Sequence, residues 1–129
     1  MDKTSEQLKQ ILGNNPDLLN RIQSESWEIK YRKDSDMILM GAKFPSDTFY
    51  FDVKGSGVLV RIDDDKKIYG FAIENFKYFT KKNPEFRLFY FLIAHPFQAY
   101  ALYILIKSLD KMRMIKVVSE YVAGQAVYA

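Results

Sequence analysis

At Ser26 the spacing of apolar residues changes from roughly one per helical turn to every second position, and the alternation holds as far as Ile73. A period of two belongs to a strand with one face in a core, whereas a period near 3.6 belongs to a helix. Trp27, Ile29 and Tyr31 alternate with Glu28 and Lys30, and Met37 to Ala42 forms an apolar run. Phe49, Phe51 and Val53 share one side of the next segment, then Val58, Val60 and Ile62 repeat the pattern. In the last run Ile68, Gly70 and Ala72 oppose Tyr69, Phe71 and Ile73. The breaks at Pro45-Ser46-Asp47, Gly55-Ser56-Gly57 and Asp63-Asp64-Asp65-Lys66 carry turn residues. Connections this short cannot hold parallel crossovers, so residues 27–73 read as an antiparallel meander of about five strands.

Helical periods flank this region, which makes the fold class α+β with helices packed on one face of the sheet. Upstream, residues 4–24 read as a helical hairpin. Thr4 and Gln7 fit a capping box, Leu8, Ile11 and Leu12 form a stripe, and Gly13-Asn14 ends the first helix. Asn15 is placed to cap the second, with Pro16 at its first position and Leu18, Leu19 and Ile22 along one face. Downstream, residues 75–123 read as two to four helices. Asn75 caps the first, Asn83-Pro84 stops it and opens the next, and His95-Pro96 ends that one. Leu102, Leu105, Ile106 and Leu109 then line one side, and from Met114 the apolar side moves, which implies a break near Asp110. The tail from Gly124 frays or adds an edge strand.

One domain of 129 residues with 48% hydrophobic content is large enough for a single core. The chain has no cysteine, which excludes disulfides and thiolate-bound zinc and suits a reducing interior. Residues 1–6 lack the apolar run of a secretion signal, so the expected location is cytoplasmic. The net charge of +3 is a small basic excess.

No catalytic residue and no cofactor is expected. His95 is the only histidine, it stands beside a proline at a helix end, and no nucleophile-elbow motif accompanies it. Asp63 and Asp65, in a run of three aspartates, and Asp34 with Asp36 are the candidate metal ligands. They lack the glycine and distal glutamate of a calcium loop, and would need both turns at one end of the sheet to share a cation.

Partner readings follow from the surplus of apolar helix. Trp27, Phe89, Tyr90, Phe97, Tyr100, Tyr103 and Leu105 are the expected anchors of an interface with another protein or a second copy of this chain. Nucleic acid is an alternative, through Asn20, Arg21 and Gln23 of the second helix or through the basic stretch Lys107–Lys116. A membrane is a further alternative, because residues 86–106 match the length of a span. Arg87, His95-Pro96 and Gln98 interrupt that stretch and favour burial in a core or an interface.

Two motifs carry a resemblance. Tyr31-Arg32-Lys33-Asp34-Ser35-Asp36-Met37-Ile38-Leu39-Met40 resembles the Tyr-Asp-x-x-x-Asp-x-Leu-Tyr-Ile strand of a family of short bacterial domains of unknown function. Asp63-Asp64-Asp65-Lys66-Lys67-Ile68-Tyr69-Gly70-Phe71-Ala72-Ile73 resembles its second signature, Asp-x-Asp-Gly-x-Ile-x-Gly-Ile-Glu-Ile, with Lys66 in place of the turn glycine and Ala72 in place of the acidic residue. The similarity spans roughly residues 27–75. It implies an antiparallel sheet without known catalysis. It also implies an antitoxin-like or other neutralising role, since members are often encoded beside toxin-like proteins.

Overall fold

The computed structural model of the chain describes residues 3–43, 45–87 and 113–125. Helix α1 (Lys3–Gly13) and helix α2 (Leu18–Ser24) precede five strands: β1 (Glu28–Arg32), β2 (Met37–Gly41), β3 (Phe49–Val53), β4 (Val58–Ile62) and β5 (Ile68–Ile73). Helix α3 (Phe76–Lys82) and a single 3-10 turn (Pro84–Phe86) follow, and residues 113–125 form a further helix, α4. The architecture is α+β with a five-stranded antiparallel sheet, as the change of period requires.

The strand order is β1-β2-β5-β4-β3. The sequential order of a simple meander is broken once, where residues 42–48 carry the chain from β2 to the far edge and leave β5 to fill the centre. One row across the core face runs Ile29–Met40–Phe71–Val60–Phe51, and the next runs Tyr31–Ile38–Ile73–Val58–Val53. A register shift between Arg61 and Ile62 pairs Ile62 with Ile68, so Ile68 turns toward the core and Tyr69 away from it. Ile68 is therefore fully buried and does not share a face with Gly70 and Ala72, as strict alternation had it.

On the second face Gly41 stands opposite Gly70. A Cβ on Gly41 would lie 2.7 Å from the Tyr69 carbonyl oxygen, and one on Gly70 would collide with that of Met40. The two central strands approach this closely because neither residue has a side chain.

The core cluster draws on every layer. Leu8 and Ile11 of α1, Leu18 and Ile22 of α2, Phe76 and Phe79 of α3, and Met114, Ile115, Val118 and Val122 of α4 pack with the sheet. Phe79 stands 5.1 Å from Phe86 and 5.5 Å from Tyr121, edge-on to the latter, which ties α3 to α4. Leu19, expected on the inner face of α2, is 49% exposed.

The chain passes from α2 to β1 through a Schellman motif. The Ser26 N–H donates to the Gln23 carbonyl and the Trp27 N–H to the Ile22 carbonyl, with Ser26 at φ 52°. Trp27 is thereby delivered into the core, 5.8 Å from Phe71 and fully buried.

Three caps differ from expectation. Asn15 does not cap α2, whose flanking Asp17 makes no side-chain bond to the helix. The Asn15 amide instead donates to the Ile11 and Lys66 carbonyls and accepts from the Ile68 N–H, joining the end of α1 to β5. Asn75 adopts a left-handed conformation without capping α3. That helix is capped by Asp36, whose carboxylate accepts from the Lys77 N–H and whose carbonyl accepts from the Phe76 N–H. The Asn83 side chain bonds backward to the Phe79 carbonyl and closes α3, while its backbone carbonyl accepts from the Phe86 N–H and opens the next turn without a side-chain cap.

Candidate functional site

The two acidic turns lie at opposite ends of the sheet. Ile38, beside the Asp34–Asp36 turn, pairs with Ile73, whereas the Asp63–Asp65 turn leads into Ile68 at the other end of β5. A cation shared between them is therefore ruled out by the register. Each turn also spends its carboxylates locally. Asp36 Oδ1 accepts from the Tyr31 hydroxyl at 2.7 Å while Oδ2 caps α3. Asp63 Oδ1 accepts from the N–H groups of Asp65 and Lys67, and Oδ2 from the Tyr69 hydroxyl at 2.9 Å. This is an aspartate-stabilised turn. Asp34 and Asp65 are exposed. Among the described residues no three His, Cys, Asp or Glu side chains gather as a metal site requires.

The bonding leaves its mark on the titration of the Asp63–Tyr69 pair. Slight burial raises the Asp63 pKa, but the Lys67 N–H, the Tyr69 hydroxyl and the Asp65 N–H outweigh it and hold the carboxyl below its ordinary value. Tyr69 is raised in turn, first by its bond to Asp63 and then by burial.

An open polar cleft of about 500 Å³ lies between the helical hairpin and the β4–β5 turn, lined by Asn14, Asn15, Asp17, Arg21, Glu25, Asp65 and Lys67. Its central cation is Arg21, and that guanidinium is engaged on three sides. It donates to Glu25 at 3.1 Å, to the Asn15 side chain at 3.1 Å and to the Ile68 carbonyl at 2.7 Å. Glu25 accepts from the Trp27 indole as well. Burial raises its pKa, but the Trp27 and Arg21 bonds and the charges of Arg21 and Lys67 bring it below the ordinary value. Arg21, a residue of the nucleic-acid alternative, thus acts as a clamp between α2 and the sheet.

Trp27 is corrected likewise. An indole with no exposed surface is a core residue and not a surface anchor. The other expected anchors, Phe89, Tyr90, Phe97, Tyr100, Tyr103 and Leu105, lie outside the described residues, as do His95 and residues 107–112 of the basic stretch. Of that stretch, Arg113 and Lys116 are exposed on α4. Most of the 86–106 segment is also outside them, and among the described residues no helix is long and apolar enough to cross a membrane.

The surface feature that the alternation did not single out is the β3 edge. Among the described residues both outer strands of the sheet are edges, and they differ in chemistry. β1 presents Glu28, Lys30 and Arg32, the charged residues that keep an edge from pairing. β3 reads Phe49-Tyr50-Phe51-Asp52-Val53, with Phe49 47% exposed and Tyr50 and Phe51 half-buried. The strand is held firmly. The Thr48 hydroxyl donates to the Pro45 carbonyl and accepts from Arg61 Nε at 2.7 Å, and the Arg61 guanidinium lies 4.7 Å from the centre of the Tyr50 ring. The alternation of Phe49, Phe51 and Val53 gives the buried side of this strand but not its place in the sheet. Only the strand order shows that it is an edge.

Comparison with protein-family models, with curated proteins and with solved structures finds no match.

Proposed function

We propose that the protein is a non-catalytic interaction module that docks another protein chain along the β3 edge. The observation that carries this reading is the contrast between the two edges: β1 is charged, whereas β3 is aromatic and held in place by Thr48 and Arg61. An exposed aromatic edge offers backbone hydrogen bonds for affinity and side-chain contacts for specificity, the chemistry of strand addition. Its aromatic residues are of the kind that dominate binding hot spots. The cleft beside α2 supports the same reading from the other direction, because its arginine and its Asn15 amide are spent on internal bonds.

The resemblance of residues 27–75 to short bacterial domains favours a neutralising, antitoxin-like partner protein as the biological form of such a module. The cysteine-free composition is in keeping with a cytoplasmic setting. The test is an affinity capture of the tagged full chain from its own cells without detergent, alongside Phe49→Lys. A stoichiometric protein partner retained by the unmodified chain and lost by the variant is the expected result. Retention of the same partner by Phe49→Lys, or capture of nucleic acid in its place, would overturn the docking role of β3.

A further inference from the structure

We infer that the exposed face of α3 binds single-stranded nucleic acid, with Tyr78 as a stacking platform and Lys77, Lys81 and Lys82 on the phosphates. This surface is separate from the β3 edge and does not depend on it. Residues 1–73 carry eleven lysines and arginines against twelve acids, whereas residues 74–129 carry eight against four. The basic excess of the chain therefore begins where the sheet ends.

Helix α3 has two distinct sides. Phe76, Phe79 and Thr80 are buried, and Lys77, Tyr78, Lys81 and Lys82 are exposed. No acid stands on that outer side, and among the described residues neither its lysines nor the exposed Arg87 beyond them makes an ion pair. Helix stability does not account for the arrangement. Lys81 and Lys82 occupy the last turn, where cations suit the helix dipole, but Lys77 sits in the first turn, where a cation opposes it and no acid is present. Tyr78 is 58% exposed, more than either Leu19 or Phe49. The Lys82 ammonium lies 5.0 Å from the centre of its ring, so aromatic surface and positive charge share one spot. Lys77 and Lys81 stand one helical turn apart beside it.

This combination complements an anionic strand whose bases are free to stack. In an intact duplex the base faces are already covered by their neighbours, and an exposed ring finds nothing to stack on. The outer side of α3 also lacks Arg, Asn and Gln, the forked side chains that read base edges in a groove. An acidic protein segment would satisfy the lysines but leave the Tyr78 ring without a partner. Charge and ring together therefore favour a single strand.

The test is fluorescence anisotropy of the full, nuclease-treated chain with oligothymidine and oligouridine of about twenty nucleotides, long enough to span such a site, and with a duplex of equal length and polyglutamate as competitors. Both single strands should bind, and alike, because stacking and phosphate contact read neither sugar nor base identity. With about three phosphates neutralised, affinity should fall roughly twentyfold between about 50 and 200 mM salt. Lys81→Gln should weaken binding and reduce that salt slope by about a third. Tyr78→Ala should weaken binding by about 5- to 150-fold, whereas Tyr78→Phe should retain it, since the ring does the stacking. Both positions are exposed, and circular dichroism checks that each variant is folded. Phe49→Lys should bind the strands as well as the unmodified chain does.

Absence of binding at low salt overturns the inference, and so does binding that Tyr78→Ala and Lys81→Gln leave unchanged. A duplex bound as tightly as the single strands overturns the stacking mode. Polyglutamate that displaces the strands and is itself lost in Tyr78→Ala overturns the nucleic-acid assignment in favour of an acidic protein.

Discussion

The carboxylate of Asp36 accepts a hydrogen bond from the backbone N–H of Lys77 at 3.0 Å, although 41 residues separate them in the chain. A turn between two strands thereby supplies the cap of a helix on the far side of the sheet sequence. The same carboxylate holds the Tyr31 hydroxyl, so strand β1, its turn and α3 meet at one side chain. Removing it in Asp36→Ala should cost about 0.5–2 kcal/mol, the range for loss of a helix cap. Asp36→Asn should cost less, because Asn retains an acceptor and tolerates the left-handed φ of 50° found here. Chemical denaturation of the three proteins checks the order.

Asn15 is buried, and its amide serves both as donor and as acceptor. Asn15→Ala would leave the Ile68 N–H and the carbonyls of Ile11 and Lys66 without this partner. About 2–3 kcal/mol of stability should be lost, since an unsatisfied buried polar group bears its full desolvation cost. Asn15→Asp keeps the acceptor but removes both donors, so it should rescue only part of the loss. Hydrogen exchange at the Ile68 amide offers a local readout.

Ser26 occupies the left-handed position of the Schellman motif, where a side chain is a liability. Ser26→Gly should raise stability by roughly 0.5–1 kcal/mol, read as an increase in Tm without change in the spectroscopic signature of Trp27. A decrease would show that Ser26 holds the motif through its hydroxyl.

The pH dependence follows from Glu25, Asp63 and Tyr69. Glu25 and Asp63 have folded pKa values below their ordinary ones, so their contribution is complete above the unfolded values and is lost as pH falls through the folded ones. Stability should therefore decline between roughly pH 5 and pH 3. Glu25→Gln and Asp63→Asn should each flatten that decline. Tyr69 is raised, so its contribution is complete below its unfolded value and fades as pH climbs through the folded one, above about pH 10. Tyr69→Phe should remove that alkaline component in a pH series of melting curves.

The sheet was legible in the residues because alternation such as Val58, Val60 and Ile62 has one physical cause, a strand half in a core. The order of the strands was not legible, since alternation says which face is buried and nothing about which strand lies beside it. That gap hid the exposed β3 edge: Phe49-Tyr50-Phe51 reads the same whether it is central or outermost. The caps were misread for a related reason. Asn15, Asn75 and Asn83 each stand where a local cap belongs, but Asn15 found backbone partners 51 and 53 residues away, and α3 was served by Asp36. Trp27 looked like an anchor because tryptophan suits interfaces, and the turn at Ser26 sends it inward instead.

The central place of β5 bears on how the protein emerges from a ribosome. The β1–β2 and β3–β4 hairpins are made first, and within the sheet they have no direct contact with each other; β5 alone touches both. A nascent chain stalled before Ile68 would hold two separate ribbons, each with an unpaired inner edge that β5 later fills. Synthesis of the six residues Ile68–Ile73 converts those exposed edges into one closed surface. Until then the growing chain carries the sticky strands that chaperones exist to shield.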